Sequence, residues 1–144
     1  MSTKTRQKSP TQRCLAALRA MGATAEVVER RLPIPGKFVT QDLFGFLDIL
    51  ALLGPNLIGV QCTSGANHAA RKKKILAESR AKKWLAAGGL IEIWSYAKQG
   101  ATGEAKRWVC RKEAIVAEDW LPADAVDLGH EAPCPPTFWD EETP

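Results

Sequence analysis

Apolar and polar positions along this chain alternate in blocks that predict a mixed order of helices and strands. The segment "SPTQRCLAALRAMG" opens with Ser9 as an N-cap and Pro10 at the first helical position, and it closes at Gly22, which predicts a first helix. The β-branched run in "ATAEVVERRL" predicts a strand over 25–31. The two prolines and the glycine of "PIPGKFVTQD" predict a loop after it.

The rest of the chain predicts two pairs of strands separated by one long helix. Near-continuous apolar runs indicate strands buried on both faces, clean alternation indicates the later strands, and "KEAIVAEDWL" indicates a short last helix. The predicted ranges are strands over 44–53 and 57–63, a helix over 66–87, and strands over 90–98 and 106–112. The order α-β-β-β-α-β-β therefore indicates an α/β fold with a small mixed central sheet flanked by helices.

Composition divides the chain into three parts. Residues 1–9 are polar and basic, 10–121 carry the predicted elements, and 122–144 are rich in Pro and acid, so we expect a disordered basic arm, one domain and an acidic tail. With 144 residues, 45% of them apolar and 25% charged, the chain has the composition of a soluble globular protein. It has neither an apolar run of the roughly 20 residues that span a bilayer nor a signal-peptide pattern, so we expect a cytoplasmic protein without membrane contact.

The net charge of +4 conceals an uneven distribution. Residues 1–112 hold all 20 Lys and Arg and seven acidic residues, a net charge of +13, whereas residues 113–144 hold nine acidic residues and no base. A domain this basic attracts polyanions, of which nucleic acid is the common one. The alternatives are that the basic surface is merely solvated, and that the acidic tail either competes with nucleic acid or only improves solubility.

Side chains able to bind zinc or to stack on bases are scattered. The four cysteines have no C-x-x-C pair, so we expect free thiols and no structural zinc. They are Cys14, Cys62, Cys110 and Cys134. We expect His68 on the surface of the long helix. Of Trp84, Trp94 and Trp108, we expect at least two in the core, although an exposed one can stack on unpaired bases.

One carboxylate interrupts the most apolar part of the chain. Asp48 lies within "FGFLDILALL", and Gln61 and Thr63 close the next predicted strand, "LIGVQCTS". Burying an unpaired carboxylate is costly, and residues two apart on a strand share a face, so Asp48 and Gln61 can lie side by side with Thr63 next to them. Carboxylate and amide oxygens suit Mg²⁺ or Mn²⁺. The structural alternative is an ion pair of Asp48 with Arg30 or Arg31.

Over residues 11–97, a helix, a strand with Asp, a strand with a spaced polar pair and a basic helix follow one another. This order resembles the PD-(D/E)XK nuclease superfamily, particularly its small Holliday-junction-resolvase-like and VRR-NUC-like members, and it implies a restriction-endonuclease-like core. In that family, the strand Asp and the acid of the next strand bind Mg²⁺, and a Lys positions or activates water. Asp48 in "FLDILAL" matches the Asp, Gln61 in "VQCT" stands where the acid belongs, and Thr63 stands where the Lys belongs.

The departures from the family motif imply replacements from elsewhere in the chain. Glu29 is the candidate for the acid that the family carries on its first helix, and Asp42 is a further possible metal ligand. The missing cation is replaced by Lys37, Arg71 or Lys74. The residues expected to contact nucleic acid are Lys37, Arg71, Lys72 and Lys74.

Three functions are consistent with these patterns. The first is a Mg²⁺-dependent nuclease that acts on DNA, with a homodimer implied by analogy to junction-cutting relatives. Its catalytic residues would be Glu29, Asp48, Gln61 and Thr63. The second is a DNA-binding module that has kept the nuclease fold and lost the chemistry, and the third is a protein-interaction subunit that binds through its acidic tail. A requirement for divalent metal separates the first two, and a steep salt dependence of DNA affinity argues against the third.

Overall fold

Residues 6–120 are described by the computed structural model, and they form a five-stranded mixed sheet with helices on both faces. The helices are α1 (Pro10–Ala20), α2 (His68–Ala77) and α3 (Ser79–Ala86). The strands are β1 (Thr24–Val27), β2 (Arg30–Ile34), β3 (Lys37–Gln41), β4 (Ile49–Leu53), β5 (Asn56–Ser64), β6 (Leu90–Gln99) and β7 (Arg107–Ile115). The tail predicted over 122–144 and the thiol of Cys134 lie outside the described residues.

The first helix forms where the sequence predicts it. The Ser9 hydroxyl accepts a hydrogen bond from the backbone N–H of Gln12 (3.2 Å), and the Gln12 side chain accepts one from the N–H of Ser9 (3.0 Å). This reciprocal capping box, with Pro10 in the first turn, satisfies backbone donors that the helix itself leaves unpaired. Cys14 and Leu18 then lie on the buried face of α1, against the sheet.

The main sheet has the strand order β1-β4-β5-β6-β7. Neighbouring strands are antiparallel except β5 and β6, which are parallel. A parallel pair requires a crossover, and α2 and α3 supply it. Because α1 covers one face and α2 and α3 cover the other, residues of β6 point alternately into two cores: Trp94 packs on the α1 side and Ile93 on the α2 side.

The loop predicted from "PIPGKFVTQD" is wrong, because this segment belongs to an antiparallel hairpin. Strands β2 and β3 pair from Arg30 with Gln41 to Ile34 with Lys37, and Gly36, at φ +75°, forms the turn. Proline is tolerated on edge strands, and both strands of an isolated two-stranded ribbon are edges, so Pro33 fits within β2. The strand predicted over 25–31 is consequently two strands, interrupted at residues 28–29.

The strand predicted over 44–53 starts later, at Ile49. Residues 43–47 form a tight turn in which Phe44 and Gly45 both have positive φ, a conformation that ends strand pairing. Asp48 therefore lies immediately before β4 and not in the middle of it. Burial on both faces holds for β5, whereas Leu52 on β4 is 52% exposed.

The single helix predicted over 66–87 is also wrong in its continuity. Glu78 has an extended backbone (φ −89°, ψ 112°), and its side chain accepts a hydrogen bond from the N–H of Arg80, so it caps α3 and separates it from α2. The strands predicted over 90–98 and 106–112 are confirmed, and both are longer than predicted. The last helix is one 3₁₀ turn, Ala117–Trp120.

Candidate metal centre and cleft

Three carboxylates meet because of the unexpected hairpin. Glu29 directly precedes β2 and Asp42 directly follows β3, so the pairing of Arg30 with Gln41 brings the two acids together at the base of the ribbon. Asp48 reaches the same point from the turn before β4. One carboxylate oxygen of each of the three acids lies within 4.8 Å of the others. This cluster of Glu29, Asp42 and Asp48 can hold a metal ion.

The backbone of Asp48 is held on both sides. Its N–H donates to the carbonyl of Val60 (3.0 Å), and its carbonyl accepts from the N–H of Val28 (2.9 Å). These bonds tie the carboxylate to β5 on one side and to the end of β1 on the other. The position of Asp48 is therefore determined by the sheet and does not depend on its side chain alone.

The Asp48 carboxylate is only 5% exposed. Its Oδ2 accepts hydrogen bonds from the Gln61 side-chain amide (2.5 Å) and from the backbone N–H of Cys62 (2.8 Å). Burial raises the pKa of Asp48 to about 7; the bond from Cys62 opposes that rise, and the adjacent carboxylates of Asp42 and Glu29 add to it. A divalent cation would relieve both the burial cost and the repulsion, and would favour the ionised form.

The Gln61 side chain adds an amide oxygen to the carboxylate oxygens of the acidic cluster. Gln61 is 1% exposed, and its amide N–H donates a hydrogen bond to Asp48 Oδ2. Its Oε1 is buried and has no hydrogen-bond partner among residues 6–120. Buried polar atoms without a partner are rare in folded proteins. Since Gln61 lines the same cleft as the three carboxylates, this oxygen suits a cation bound there.

The site opens into a cleft of about 630 Å³. The acidic cluster, Gln61 and Thr63 line it together with the start of α1 at Pro10 and Thr11. Arg71 and Lys74, three residues apart on one face of α2, add two cations to the lining. The Lys74 ammonium lies 2.8 Å from Asp42 Oδ2. The cleft thus combines an acidic cluster with basic side chains that can pair with an anionic ligand.

Most of the predicted site residues come together in this cleft, and two do not. The shared set is Glu29, Asp42, Asp48, Gln61, Thr63, Arg71 and Lys74. Lys37 lies beside the hairpin turn, outside the lining. The Lys72 ammonium binds Glu113 (2.9 Å) and Asp119 (3.3 Å), and the hydrogen bond to Glu113 raises the pKa of Lys72.

Within the described part of the chain, Asp48 makes no ion pair with Arg30 or Arg31, so the structural alternative is not realised.

His68 is buried, so the expectation of a surface residue is wrong. Its Nδ1 lies 2.7 Å from the Ser95 hydroxyl, and its Nε2 lies 3.1 Å from Glu113 Oε2. These contacts attach the start of α2 to β6 and β7, and so they orient the helix that carries Arg71. The signal was available in the sequence, because His68 is seven residues before the buried Ile75 and therefore lies on the same helix face.

The tryptophans and thiols behave largely as expected. Trp94 is buried and donates to Glu92 (2.7 Å), and Trp84 packs against the α2-side core and donates to the Leu90 carbonyl (2.9 Å). Trp108 is 38% exposed, with the Arg13 guanidinium 4.0 Å from its ring centre. Three of the cysteines are free thiols: Cys14, Cys62 and Cys110. A hydrogen bond to Cys14, together with burial, raises the pKa of the Cys62 thiol, which keeps it protonated.

Compared with models of protein families, with curated proteins and with solved structures, the chain has no match in any of the three. In residues 6–120, no helix is long and apolar enough to cross a membrane. The geometry shows an α/β protein whose mixed sheet carries an acidic cluster able to bind a metal ion, with Asp48 buried and Glu29 and Asp42 half-buried. The cluster lies in a cleft that also contains cations.

Proposed function

We propose that this protein is a metal-dependent nuclease of the PD-(D/E)XK type that acts on DNA. One observation carries the proposal. Ligand oxygens of Glu29, Asp42 and Asp48 converge at a cleft that also contains the buried, unpartnered oxygen of Gln61 and the cations of α2. Oxygen ligands of this kind suit a hard divalent cation, and the cations suit the phosphates of a polyanion.

The topology supports the same reading. Once the β2–β3 hairpin is treated as an insertion, and α2 and α3 are treated as one crossover, the remaining order is α-β-β-β-α-β-β. This is the order expected of a restriction-endonuclease-like core. Asp48 directly precedes the second strand of that order, and Gln61 and Thr63 lie on the third, which supports matching them to the Asp, the acid and the Lys of the family motif.

The donor set fits Mg²⁺ or Mn²⁺. Asp48, Asp42 and Glu29 provide carboxylate oxygens, and Gln61 provides a neutral amide oxygen in place of the family's second acid. When bound, such an ion supplies positive charge that offsets the charge of the phosphate and lowers the pKa of water. The hydrogen bonds from Gln61 and Cys62 hold the Asp48 carboxylate in place, which gives the site a defined shape before any ligand enters.

The cation that the family motif places two residues after the acid must come from α2. Thr63 is uncharged and can contribute only a hydroxyl. Lys74 and Arg71 line the cleft, and the Lys74 ammonium is already within 2.8 Å of the cluster at Asp42. We assign Lys74 the position of the missing lysine, with Arg71 holding the substrate phosphate by its planar guanidinium.

A catalytically inactive DNA-binding module is the second candidate. It is favoured by the ion pair between Lys74 and Asp42, which occupies both the candidate lysine and one candidate ligand. In this case the cations of the cleft would hold DNA equally well with and without a divalent metal. The third function, protein interaction through the acidic tail, predicts DNA affinity with little salt dependence.

The deciding experiment measures cleavage of labelled duplex, single-stranded and branched DNA with Mg²⁺ or Mn²⁺. We expect metal-dependent cutting by the wild type and a loss of about 100-fold or more in Asp48→Asn, because this isosteric change removes a charged ligand and keeps the fold. Glu104→Gln, which removes one charge at an exposed turn, is the matched control and should cut normally. If the wild type binds DNA in chelator and never cuts it, the protein is a DNA-binding module. If it neither binds nor cuts DNA, both functions are refuted.

A further inference from the structure

The β2–β3 hairpin carries an aromatic side chain that no other part of residues 6–120 covers. Phe38 is 89% exposed, more than any other large apolar residue in the described chain. Ile34, beside the same turn, is 43% exposed. Among the described strands, β2 and β3 pair with each other and not with the main sheet. A phenylalanine ring left almost entirely in water adds little to the stability of the fold, and its surface is free to contact a partner.

The charge around this ring indicates which partner. Residues 30–41 contain the cations Arg30, Arg31 and Lys37 and no acid. Within the described residues none of these three forms an ion pair. The Arg31 guanidinium lies 5.4 Å from the centre of the Phe38 ring. A free aromatic face beside unpaired cations is the combination that binds bases by stacking and phosphates by charge.

The hairpin also leads directly out of the candidate metal centre. Glu29 and Asp42 are at its two ends, and Thr40 lines the cleft. Thr40 pairs with Arg31, and Phe38 pairs with Pro33, so Arg31, Phe38 and Thr40 share one face of the ribbon. At about 3.4 Å per residue, Phe38 is about 7 Å further along the strand than Thr40. A strand that occupies the cleft can therefore continue along this face.

We infer that the β2–β3 hairpin is a nucleic-acid-binding arm in which Phe38 stacks on an unpaired base while Arg31, on the same face, binds a neighbouring phosphate. The inference rests on the proposed function and specifies its substrate class: nucleic acid with single-stranded or splayed bases next to the cleft. Stacking needs an exposed base face, which a continuous duplex does not offer. A second copy of this chain is a poorer partner, since two such basic hairpins repel each other.

The test is binding of fluorescent DNA in chelator, measured by anisotropy on a single strand, a splayed-arm fork and a blunt duplex. Phe38→Ala should weaken binding to the strand and the fork by roughly 5- to 150-fold, the ratio that corresponds to about 1–3 kcal/mol for one stacked base. Duplex affinity should stay within about threefold of the wild-type value, because stacking contributes nothing there. Phe38→Trp should restore binding. Leu52→Ala, which removes another exposed apolar side chain, is the matched control and should bind like the wild type.

The proposed arm would be refuted by unchanged binding of Phe38→Ala, by an equal loss of binding to duplex, or by recovery with Phe38→Leu as complete as with Phe38→Trp. Sedimentation tests whether the chain binds a second copy of itself, and flotation with anionic phosphatidylserine vesicles tests whether it binds a membrane. A dimer or vesicle complex that depends on Phe38, with no effect of Phe38 on DNA binding, would also refute the arm. Binding is measured in chelator, so it does not depend on a metal ion, and Glu104→Gln at its exposed turn should bind like the wild type. A refuted arm therefore does not contradict a nuclease that cuts DNA. Absence of metal-dependent cutting refutes the nuclease and does not change the result of the binding test.

Discussion

The raised pKa of Asp48 makes the stability of the metal-free protein depend on pH. A carboxyl group whose pKa is higher in the folded state than in the unfolded chain binds its proton more tightly when folded. Its contribution to stability is therefore largest at low pH and is lost as the pH rises. For Asp48 the window runs from the ordinary value of 3.8 to about 7. The difference sets an upper limit of about 4 kcal/mol on the loss in free energy of unfolding across that window.

Asp48→Asn should remove this dependence. The asparagine side-chain oxygen can still accept the hydrogen bonds from Gln61 and Cys62, and it carries no charge to bury. In chelator at pH 8, we expect the variant to be more stable than the wild type by as much as about 4 kcal/mol, and at pH 4 we expect the two to be nearly equal. Adding Mg²⁺ at pH 8 should narrow this difference: a concentration 100 times Kd stabilises the wild type by about 2.7 kcal/mol, and the variant gains much less.

The assay is urea unfolding followed by tryptophan fluorescence at pH 4, 5, 6, 7 and 8, with chelator and with Mg²⁺. Only the difference between the wild type and Asp48→Asn enters the comparison, so groups that titrate identically in both proteins cancel. Glu104→Gln, an equal loss of charge at an exposed turn, should follow the wild-type profile at every pH. Parallel profiles for the wild type and Asp48→Asn, or an asparagine variant less stable than the wild type at pH 8 in chelator, would refute the reasoning.

Two further predictions concern the framework around the site. His68→Ala should lower the free energy of unfolding by about 2–4 kcal/mol, because it empties a buried position and leaves the Ser95 hydroxyl without its partner; a change below about 0.5 kcal/mol in urea unfolding would contradict this. Gly59→Ala should cost about 1–3 kcal/mol, because a Cβ there would overlap the fully buried Leu47 side chain. Thermal melting checks it, and an unchanged melting temperature would show that Leu47 can move aside.

Helices and strands that are determined by a few consecutive residues could be predicted from the sequence. The capping box of Ser9 and Gln12, followed by Pro10 and a buried face, specifies α1 within one segment of chain. Alternation over residues 90–98 specifies β6 in the same way, because successive side chains of a strand point to opposite faces. Asp48 and Gln61 could also be paired in advance, since an antiparallel hairpin between two apolar runs places residues on either side of its turn next to each other.

What the sequence could not show is where distant parts of the chain meet. Glu29 and Asp42 become neighbours only because β2 and β3 pair, and the prolines in that segment locally favour a loop. The turn at Phe44 and Gly45 displaces the start of β4, a shift decided by the packing of the adjacent Phe46 and Leu47 in the core. Local patterns record the preferences of a few consecutive residues. Pairing and packing between distant segments are decided only by the tertiary structure. They determine the acidic cluster, the exposure of Phe38, and which basic side chains line the cleft and which form ion pairs.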